Sequence, residues 1–468
     1  MDTVVSSSTR RSPSPELLAL LEREFAERFS ISRAVLQQHG TDESTYPPQP
    51  PDAVVFVCST EEAAFVVRAC AKERVPVIGF GVGSSVEGHL LAVQGGVCID
   101  FSRMNKVLAI RPGDLTATVE AGVTRGQLNA ALQDTGFFFS VDPGADASIG
   151  GMVATAASGT NTVRYGTMRD NLVSLTVITA DGNVVRTASR ARKSSAGYNL
   201  TQLYCGSEGT LGLITEATVR LHPHPEAYAA AAVNFPSVRA AVDCVIESIQ
   251  MGVPLARAEM LDALTIRAVN AHSHTTLGES PTLFLEFGAS RTQIEEQAGI
   301  VREIAAGHGG GEFQWANRQE DRSRLWTPRH HAYFACLQLK AGSRSLTTDA
   351  CVPLSALAQC IDETQADIAE HGLLAPVFGH VGDGNFHCLV LVDPNSAEEN
   401  EAAEAFSHRL VQRALRHGGT CTGEHGVGMH KMKYLAEEHG EHGVALMRSV
   451  KQALDPHDIF NPGKVVGV

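Results

Sequence analysis

The chain has 468 residues, of which 43% are hydrophobic and 19% charged, and a formal net charge of −14. That length exceeds a single hydrophobic core and implies two or three domains, and the acidic balance excludes nucleic acid or an anionic membrane surface as the main partner. No apolar run approaches the roughly 18 residues of a membrane span, and the ten cysteines include no C-x-x-C pair, so they read as small, reduced core residues rather than an iron–sulfur ligand run.

Met1 to Pro15 is rich in Ser and Pro and reads as disordered. Arg10-Arg11 lacks the apolar stretch of a twin-arginine or secretory signal, and Asp2 counts against a mitochondrial presequence, so a cytoplasmic location is expected. Glu16 to Phe29 has helical periodicity, and Thr41 to Pro51, with four prolines, reads as an extended linker. A strand (Ala53–Val57), a helix opened by Thr60-Glu61-Glu62 and a strand (Val75–Gly79) form a β-α-β unit. It delivers the chain into Gly79-Phe80-Gly81-Val82-Gly83-Ser84-Ser85-Val86-Glu87-Gly88, whose bare N–H groups and hydroxyls suit phosphate oxygens. The loop is not a Rossmann fingerprint, because the third glycine position is Ser84 or Val86, and no Gly-Lys-Ser/Thr marks a P-loop. Taken alone it is a turn or a ligand site.

Strand patterns follow at Val97–Asp100, Val107–Ile110 and Thr116–Glu120, then a helix from Thr124 to Thr135. Asp142 to Asn161 is built almost entirely of tiny side chains around Gly150-Gly151. Such a stretch lets main chain lie against a large flat ligand, or lets a helix pack closely on a strand. Tyr165-Gly166 precedes a strand (Leu172–Thr179), a turn at Asp181-Gly182 and a strand (Val184–Thr187). Tyr204 to Ile214 is a further glycine-punctuated turn leading into a strand that ends at Leu221, and His222-Pro223-His224-Pro225 marks a domain boundary. Beyond it the pattern predicts strands Ala229–Phe235, Leu255–Met260 and Thr282–Gly288 with helices Ser237–Met251 and Thr292–Ala306, an antiparallel sheet with helices on one side.

Asp383-Gly384 is a preferred pair for a two-residue hairpin. Folded there, Gly382 faces Asn385, Val381 faces Phe386 and His380 faces His387, which places two imidazoles on one face of a ribbon. Thr420-Cys421-Thr422-Gly423-Glu424-His425-Gly426-Val427-Gly428 then offers a carboxylate and a third imidazole. Two His, a carboxylate and open positions suit a catalytic metal, although a hairpin His pair also occurs as a hydrogen-bonded surface feature.

The three small-residue loops, in this order, resemble the FAD-binding module of vanillyl-alcohol oxidase-type flavoproteins, and Asp455-Pro456-His457-Asp458-Ile459-Phe460-Asn461-Pro462-Gly463-Lys464 resembles the closing motif of that family. From about Pro48 onward the chain is similar to the D-2-hydroxyacid dehydrogenase group within it. The resemblance implies an α+β protein with a two-lobed FAD-binding domain at 48–225 and an antiparallel-sheet substrate domain at 226–420. Residues 1–47 form an N-terminal helix and linker, and 421–468 return to the FAD domain. It places the FAD pyrophosphate against Val77, Gly79, Gly81, Val82, Gly83, Ser84 and Ser85. Asp142, Pro143, Ala147, Ser148, Gly150 and Gly151 would run along the cofactor, followed by Ala154, Thr155, Ser158 and Gly159, with Tyr165 and Gly166 beside them. Glu208, Gly209, Gly212 and Ile214 would reach toward the adenine end, and Asn461 comes from the closing motif. Relatives that bind flavin covalently use a His in the first loop; Gly81 to Ser85 has none and His89 lies beyond it, so noncovalent FAD is expected.

The same resemblance makes His380, His387 and Glu424 ligands of a divalent metal, Zn or Mn, His425 the base, and Arg329 the grip on the substrate carboxylate. The implied reaction is oxidation of a D-2-hydroxy acid by proton abstraction and hydride transfer to FAD. Members acting on 2-hydroxyglutarate carry Asn and Lys where this chain has Leu389 and Thr347, so D-lactate or a similar monocarboxylate is expected. The FAD subunit of a glycolate dehydrogenase is the alternative, with 2-hydroxyglutarate behind it. The acceptor is open among quinone, cytochrome c, an electron-transfer flavoprotein and oxygen, the resemblance favouring a dehydrogenase over an oxidase, and a homodimer is open too. An NAD-linked dehydrogenase is disfavoured by the missing fingerprint, and a metal-dependent hydrolase would leave the glycine loops idle.

Overall fold

The computed structural model describes residues 10–467 and resolves into two units. The first comprises the chain up to Ser158, Gly166–His224 and the chain from Glu424 on; the second comprises Gly159–Tyr165 and Pro225–Gly423. The N-terminal helix therefore belongs to the first unit rather than standing apart. Residues 159–165, at the end of the small-residue stretch, and 421–423 belong to the second.

In the first unit, strands Ala53–Phe56 and Val77–Phe80 both run parallel to Val97–Asp100 between them, and Phe29–Ser30 pairs antiparallel to the outer edge of the first. The connecting helix Thr60–Glu73 starts where Ser59 accepts from the Glu62 N–H, carries Glu61 and Glu62 in its first turn and stops at Arg74 in the left-handed region. Its Ala63, Val66, Val67 and Cys70 are buried at helical spacing against Val55, Val77 and Ile99. A second sheet is antiparallel, with Val107–Arg111, Thr116–Glu120, Leu213–Arg220, Leu172–Ile178 and Val184–Arg186 in that spatial order. Of the segment expected to be disordered, residues 1–9 lie outside the described residues. Arg10 to Pro15 do not fit that expectation: Arg10 pairs with Asp52 at 2.8 Å, Arg11 donates to the Asp458 carbonyl at 2.6 Å, and Ser14 caps a helix beginning at Pro15. The two arginines are used as anchors.

The second unit is an eight-stranded sheet. Strand Ala227–Asn234 sends Ala229, Ala231 and Val233 into one cluster and Ala230 and Ala232 into another, so both faces are covered. Helices Val238–Gln250, Arg291–Gly307, Leu354–Glu370 and Ala397–Arg416 pack on the first face. Helices Ala263–Ser273 and Gln319–Leu337 pack on the second, against the expectation of helices on one side only. Gln319–Leu337 is hidden from periodicity because Pro328 stands inside it and its apolar side chains are outnumbered by charged and polar ones. Proline there removes one i→i−4 bond, and burial of Trp326, Ala332, Ala335 and Cys336 offsets the loss.

Asp262 caps the Ala263–Ser273 helix, its Oδ1 accepting from the Thr265 N–H at 2.7 Å and hydroxyl at 2.6 Å. Burial pushes its pKa up to about 6, against the hydrogen bonds from Thr265. The native state therefore holds this proton at pH values where the unfolded chain, at 3.8, has lost it, and stability falls as pH rises between those values. Replacing Asp262 with Asn, which does not titrate, should improve stability relative to wild type by about 3 kcal/mol on going from about pH 4 to about pH 7. Denaturant midpoints measured across that range test this; a constant difference between the two proteins would refute it.

Candidate functional site

The three glycine loops of the first unit and the closing motif come together. Strand Val77–Phe80 opens into the first glycine loop, where Gly83 has φ +81° and a Cβ on Gly81 would lie 2.4 Å from the Ser148 hydroxyl oxygen. The bare backbone at Gly81 thus brings the first loop against the start of the second. Ser148 caps the helix Ile149–Thr155. Gly150 is committed to close packing, because a Cβ there would meet the Ala121 Cβ at 2.7 Å. The third loop docks on the same helix, with the Gly206 and Glu208 N–H groups donating to the carbonyls of Val153 and Ala154 at 2.9 and 2.8 Å. The closing motif joins all of this: the Asn461 N–H donates to the Val77 carbonyl at 3.0 Å, and its side-chain amide donates to the carbonyls of His89 and Glu208 at 3.0 and 2.9 Å.

Glu208 uses its carboxylate internally. It accepts from the N–H groups of Val427 and Gly428 at 2.6 and 2.8 Å and pairs with buried His89 at 3.1 Å. Burial opposes the charged form of His89, yet the adjoining carboxylate wins and its pKa is raised. Glu208 therefore fixes the chain just beyond His425. The Asn461 Oδ1 and the Ser207 hydroxyl are buried and make no hydrogen bond among the described residues. Spare polar atoms beside bare glycine backbone fit the phosphates and polar edges of a dinucleotide such as FAD.

Ser158, from the small-residue stretch, donates to Glu424 at 2.6 Å, so one predicted cofactor residue meets one predicted metal ligand. His425 lies with its Nδ1 3.6 Å from the carboxylate of Glu87, beyond a direct hydrogen bond. The same carboxylate takes His430 Nδ1 and Lys431 Nζ at 2.9 Å each. Burial alone would raise the pKa of Glu87, but Lys431, His425 and His430 hold it well below the usual carboxylate range. Glu87 was not foreseen: in the sequence it is one acid among glycines and serines.

In the second unit the hairpin forms in a different register. Phe378 faces His387 and Val377 faces Cys388, and His380 accepts through its carbonyl from the Asp383 and Asn385 N–H groups. Only Gly384 has positive φ, so the connection is a longer turn over Val381–Gly384 and His380 does not face His387 directly. The displacement is by two residues, which preserves the face, and the two imidazoles become diagonal neighbours with ring centroids 5.6 Å apart. Their Nδ1 atoms are both engaged: His387 donates to the Thr348 carbonyl at 3.0 Å and His380 pairs with Glu259 at 2.7 Å. A carbonyl only accepts, so His387 carries its proton on Nδ1 and presents the Nε2 lone pair; the Glu259 carboxylate sets the same tautomer in His380. That donor chemistry fits a metal such as Zn or Mn.

Glu259, also unforeseen, is fully buried and pairs with Arg329 Nε at 2.7 Å through its other oxygen. Desolvation would raise its pKa, but His380 and Arg329 lower it on balance. The Arg329 guanidinium also lies 5.2 Å over the Phe378 ring. Asp349 ties the hairpin to the strip before Glu424, accepting from the Asn385 amide and the Thr422 hydroxyl at 2.8 Å each. Of the remaining predicted residues, Gly159 and Tyr165 lie in the second unit and Gly166 in the first. The helix Thr162–Tyr165 packs on strand Leu255–Leu261, with Arg257 Nε donating to the Asn161 side chain at 2.9 Å. The signal available for Glu259 was its strand, Leu-Ala-Arg-Ala-Glu-Met-Leu, where Arg257 and Glu259 stand at alternate positions of an otherwise apolar stretch.

Residues 51–188 match a family described as FAD binding domain and residues 224–465 one described as FAD linked oxidases, C-terminal domain. A p-cresol methylhydroxylase structure with substrate bound superimposes with a TM-score of 0.79 at 17% identity, covering 98% of this chain and 99% of that one, which establishes a vanillyl-alcohol oxidase-type fold. The chain belongs to the FAD-linked oxidase family and binds FAD. A probable mitochondrial D-lactate dehydrogenase of Danio rerio is 49% identical over 443 residues, 94% of this chain and 89% of that protein. A mitochondrial D-lactate dehydrogenase (cytochrome) of Arabidopsis thaliana is 47% identical over 416 residues, 89% of this chain and 73% of that protein.

Proposed function

We propose that the protein is an FAD-dependent dehydrogenase that oxidises D-lactate, or a close apolar D-2-hydroxy monocarboxylate, to the 2-oxo acid. The names and high identity of its relatives support the activity. The observation that carries the residue assignment is the pair of imidazoles presenting Nε2, one of them sharing a buried carboxylate with an arginine. In this reading His380, His387 and Glu424 hold a divalent cation, Zn or Mn. When bound, FAD supplies the hydride acceptor and the cation the acidity that a hydroxyl lacks in water. Arg329 grips the substrate carboxylate with the guanidinium edge that Glu259 leaves free. His425 takes the hydroxyl proton on a ring nitrogen, and Glu87 stabilises the charge that results. Carboxylate and hydroxyl held at two fixed places define both the 2-position and the hand of the substrate.

Leu389 supports a monocarboxylate. It is fully buried among Phe284, Phe378 and Leu391, opposite Thr347 in the sheet, and a second carboxylate there would lose its hydration without a partner. A cytochrome is the proposed electron acceptor, as the name of the Arabidopsis relative says of that protein, with quinone and electron-transfer flavoprotein as the other outcomes of an acceptor assay. Anaerobic mixing with D-lactate, L-lactate, D-2-hydroxyglutarate and glycolate, followed by flavin absorbance, tests the substrate. D-lactate should bleach the flavin fastest and L-lactate should leave it oxidised; faster bleaching by 2-hydroxyglutarate or glycolate would displace the assignment.

A further inference from the structure

Glu259 sits mid-strand in Leu255–Leu261, and its side chain has no exposed surface. On the same face Leu261 and Phe284 are apolar and fully buried, while Arg257 and Glu286 stand on its other side. A buried carboxylate is strongly disfavoured unless each oxygen is paired. Both are: Oε1 takes His380 Nδ1 and Oε2 takes Arg329 Nε, each at 2.7 Å. A buried ion pair of this kind is a poor source of stability compared with well-packed apolar side chains. Its geometry does something packing cannot. One rigid planar group sets the tautomer and ring direction of His380, and with Phe378 it sets the plane of Arg329. The two side chains come from segments 51 positions apart in the chain, and the Glu259 carboxylate touches both.

We propose that Glu259 is a positioning residue that fixes the span between His380 and Arg329, and so matches the site to acids whose hydroxyl is on the carbon next to the carboxylate. This rests on the function proposed above, with His380 at the cation and Arg329 at the substrate carboxylate. In a Glu259→Gln protein the amide can accept from one partner only, so either His380 loses its orienting acceptor or Arg329 loses its anchor. In Glu259→Asp the charge stays but the reach is one methylene shorter, which separates charge from span.

The test uses the FAD-loaded protein, stripped of metal and titrated with Zn²⁺ against a chelating indicator dye, beside steady-state kinetics with D-lactate and D-3-hydroxybutyrate. Glu259→Gln should bind Zn²⁺ about 10- to 100-fold more weakly and show a raised KM for D-lactate, with flavin content near wild type. Its thermal midpoint should fall, because Arg329 loses a buried charge partner, so affinity and KM are read well below that midpoint. Glu259→Asp should retain the fold, and it should narrow the preference for D-lactate over the 3-hydroxy acid. Wild-type Zn²⁺ affinity and KM in both variants would overturn the positioning role. A His380→Ala control separates the two levels: if it leaves Zn²⁺ affinity unchanged, the metal assignment itself falls and this proposal with it. If His380→Ala weakens Zn²⁺ binding while both Glu259 variants do not, only the positioning role falls.

Discussion

Replacing His425 with Ala is expected to leave the protein yellow and folded while slowing flavin reduction by D-lactate by about 10²- to 10⁴-fold, the usual contribution of a positioned base. The fold should tolerate the change because Glu87, the buried carboxylate nearest the ring, keeps His430 and Lys431 at 2.9 Å, so no buried charge is stranded. FAD should stay bound, since the loops assigned to it meet through Gly81, Ser148, Glu208 and Asn461 and none of these contacts involves the His425 ring. Single-turnover flavin bleaching under anaerobic conditions isolates the step from reoxidation. Reduction at the wild-type rate would take His425 out of the role of base, and loss of the yellow colour would place it in cofactor retention instead.

The parts legible in the sequence were those whose cause is local. Helix Thr60–Glu73 announces itself with Thr60-Glu61-Glu62 at its start, and strands Ala53–Phe56 and Val97–Asp100 with short apolar runs. The three glycine loops and the His-rich hairpin were visible as stretches, because unbranched residues at such density have few other uses. Mutual placement was not visible. Gly81 against Ser148, or Asn461 reaching back to Val77, depends on how distant segments pack, and no period in the sequence encodes it. The hairpin register failed for a definable reason: Asp383-Gly384 favours a two-residue turn only if both residues take positive φ, and Asp383 does not. The face survived because the slip was by two. Both carboxylates that orient the histidines were missed, since Glu259 and His380 lie 121 residues apart and Glu87 and His430 lie 343 apart. The double-sided cover of the second sheet did have a signal. Asn385–Val392 and Ala229–Val233 are buried at every position, and strands covered on both faces read as continuous apolar runs instead of alternating ones.

Chelation should abolish turnover with D-lactate while leaving the flavin absorbance intact, and Zn²⁺ or Mn²⁺ should restore it. The argument starts from what His425 can do unaided. A water or alcohol hydroxyl has a pKa near 15.7, far above the roughly 6.5 of an ordinary imidazole, so proton transfer to His425 would be uphill by about 9 pKa units, or about 12 kcal/mol. In the proposed reading Arg329 would neutralise the carboxylate at the other end of the acid, which does not close that gap. His380 and His387, with Nδ1 engaged by Glu259 and Thr348, would offer two ring nitrogens, and Glu424, held by Ser158 at 2.6 Å, a carboxylate. On that reading these three would hold a cation, which when bound would supply the acidity that the hydroxyl lacks in water. FAD retention is expected because the glycine loops and the histidine pair draw on different side chains, although Ser158, predicted at the cofactor, donates to Glu424, predicted at the metal. Flavin release on chelation would mean that Ser158 and Glu424 support the cofactor as much as the metal. Full turnover in protein shown by elemental analysis to be metal-free would remove the cation from the mechanism and leave the buried His380–Glu259–Arg329 chain needing another explanation.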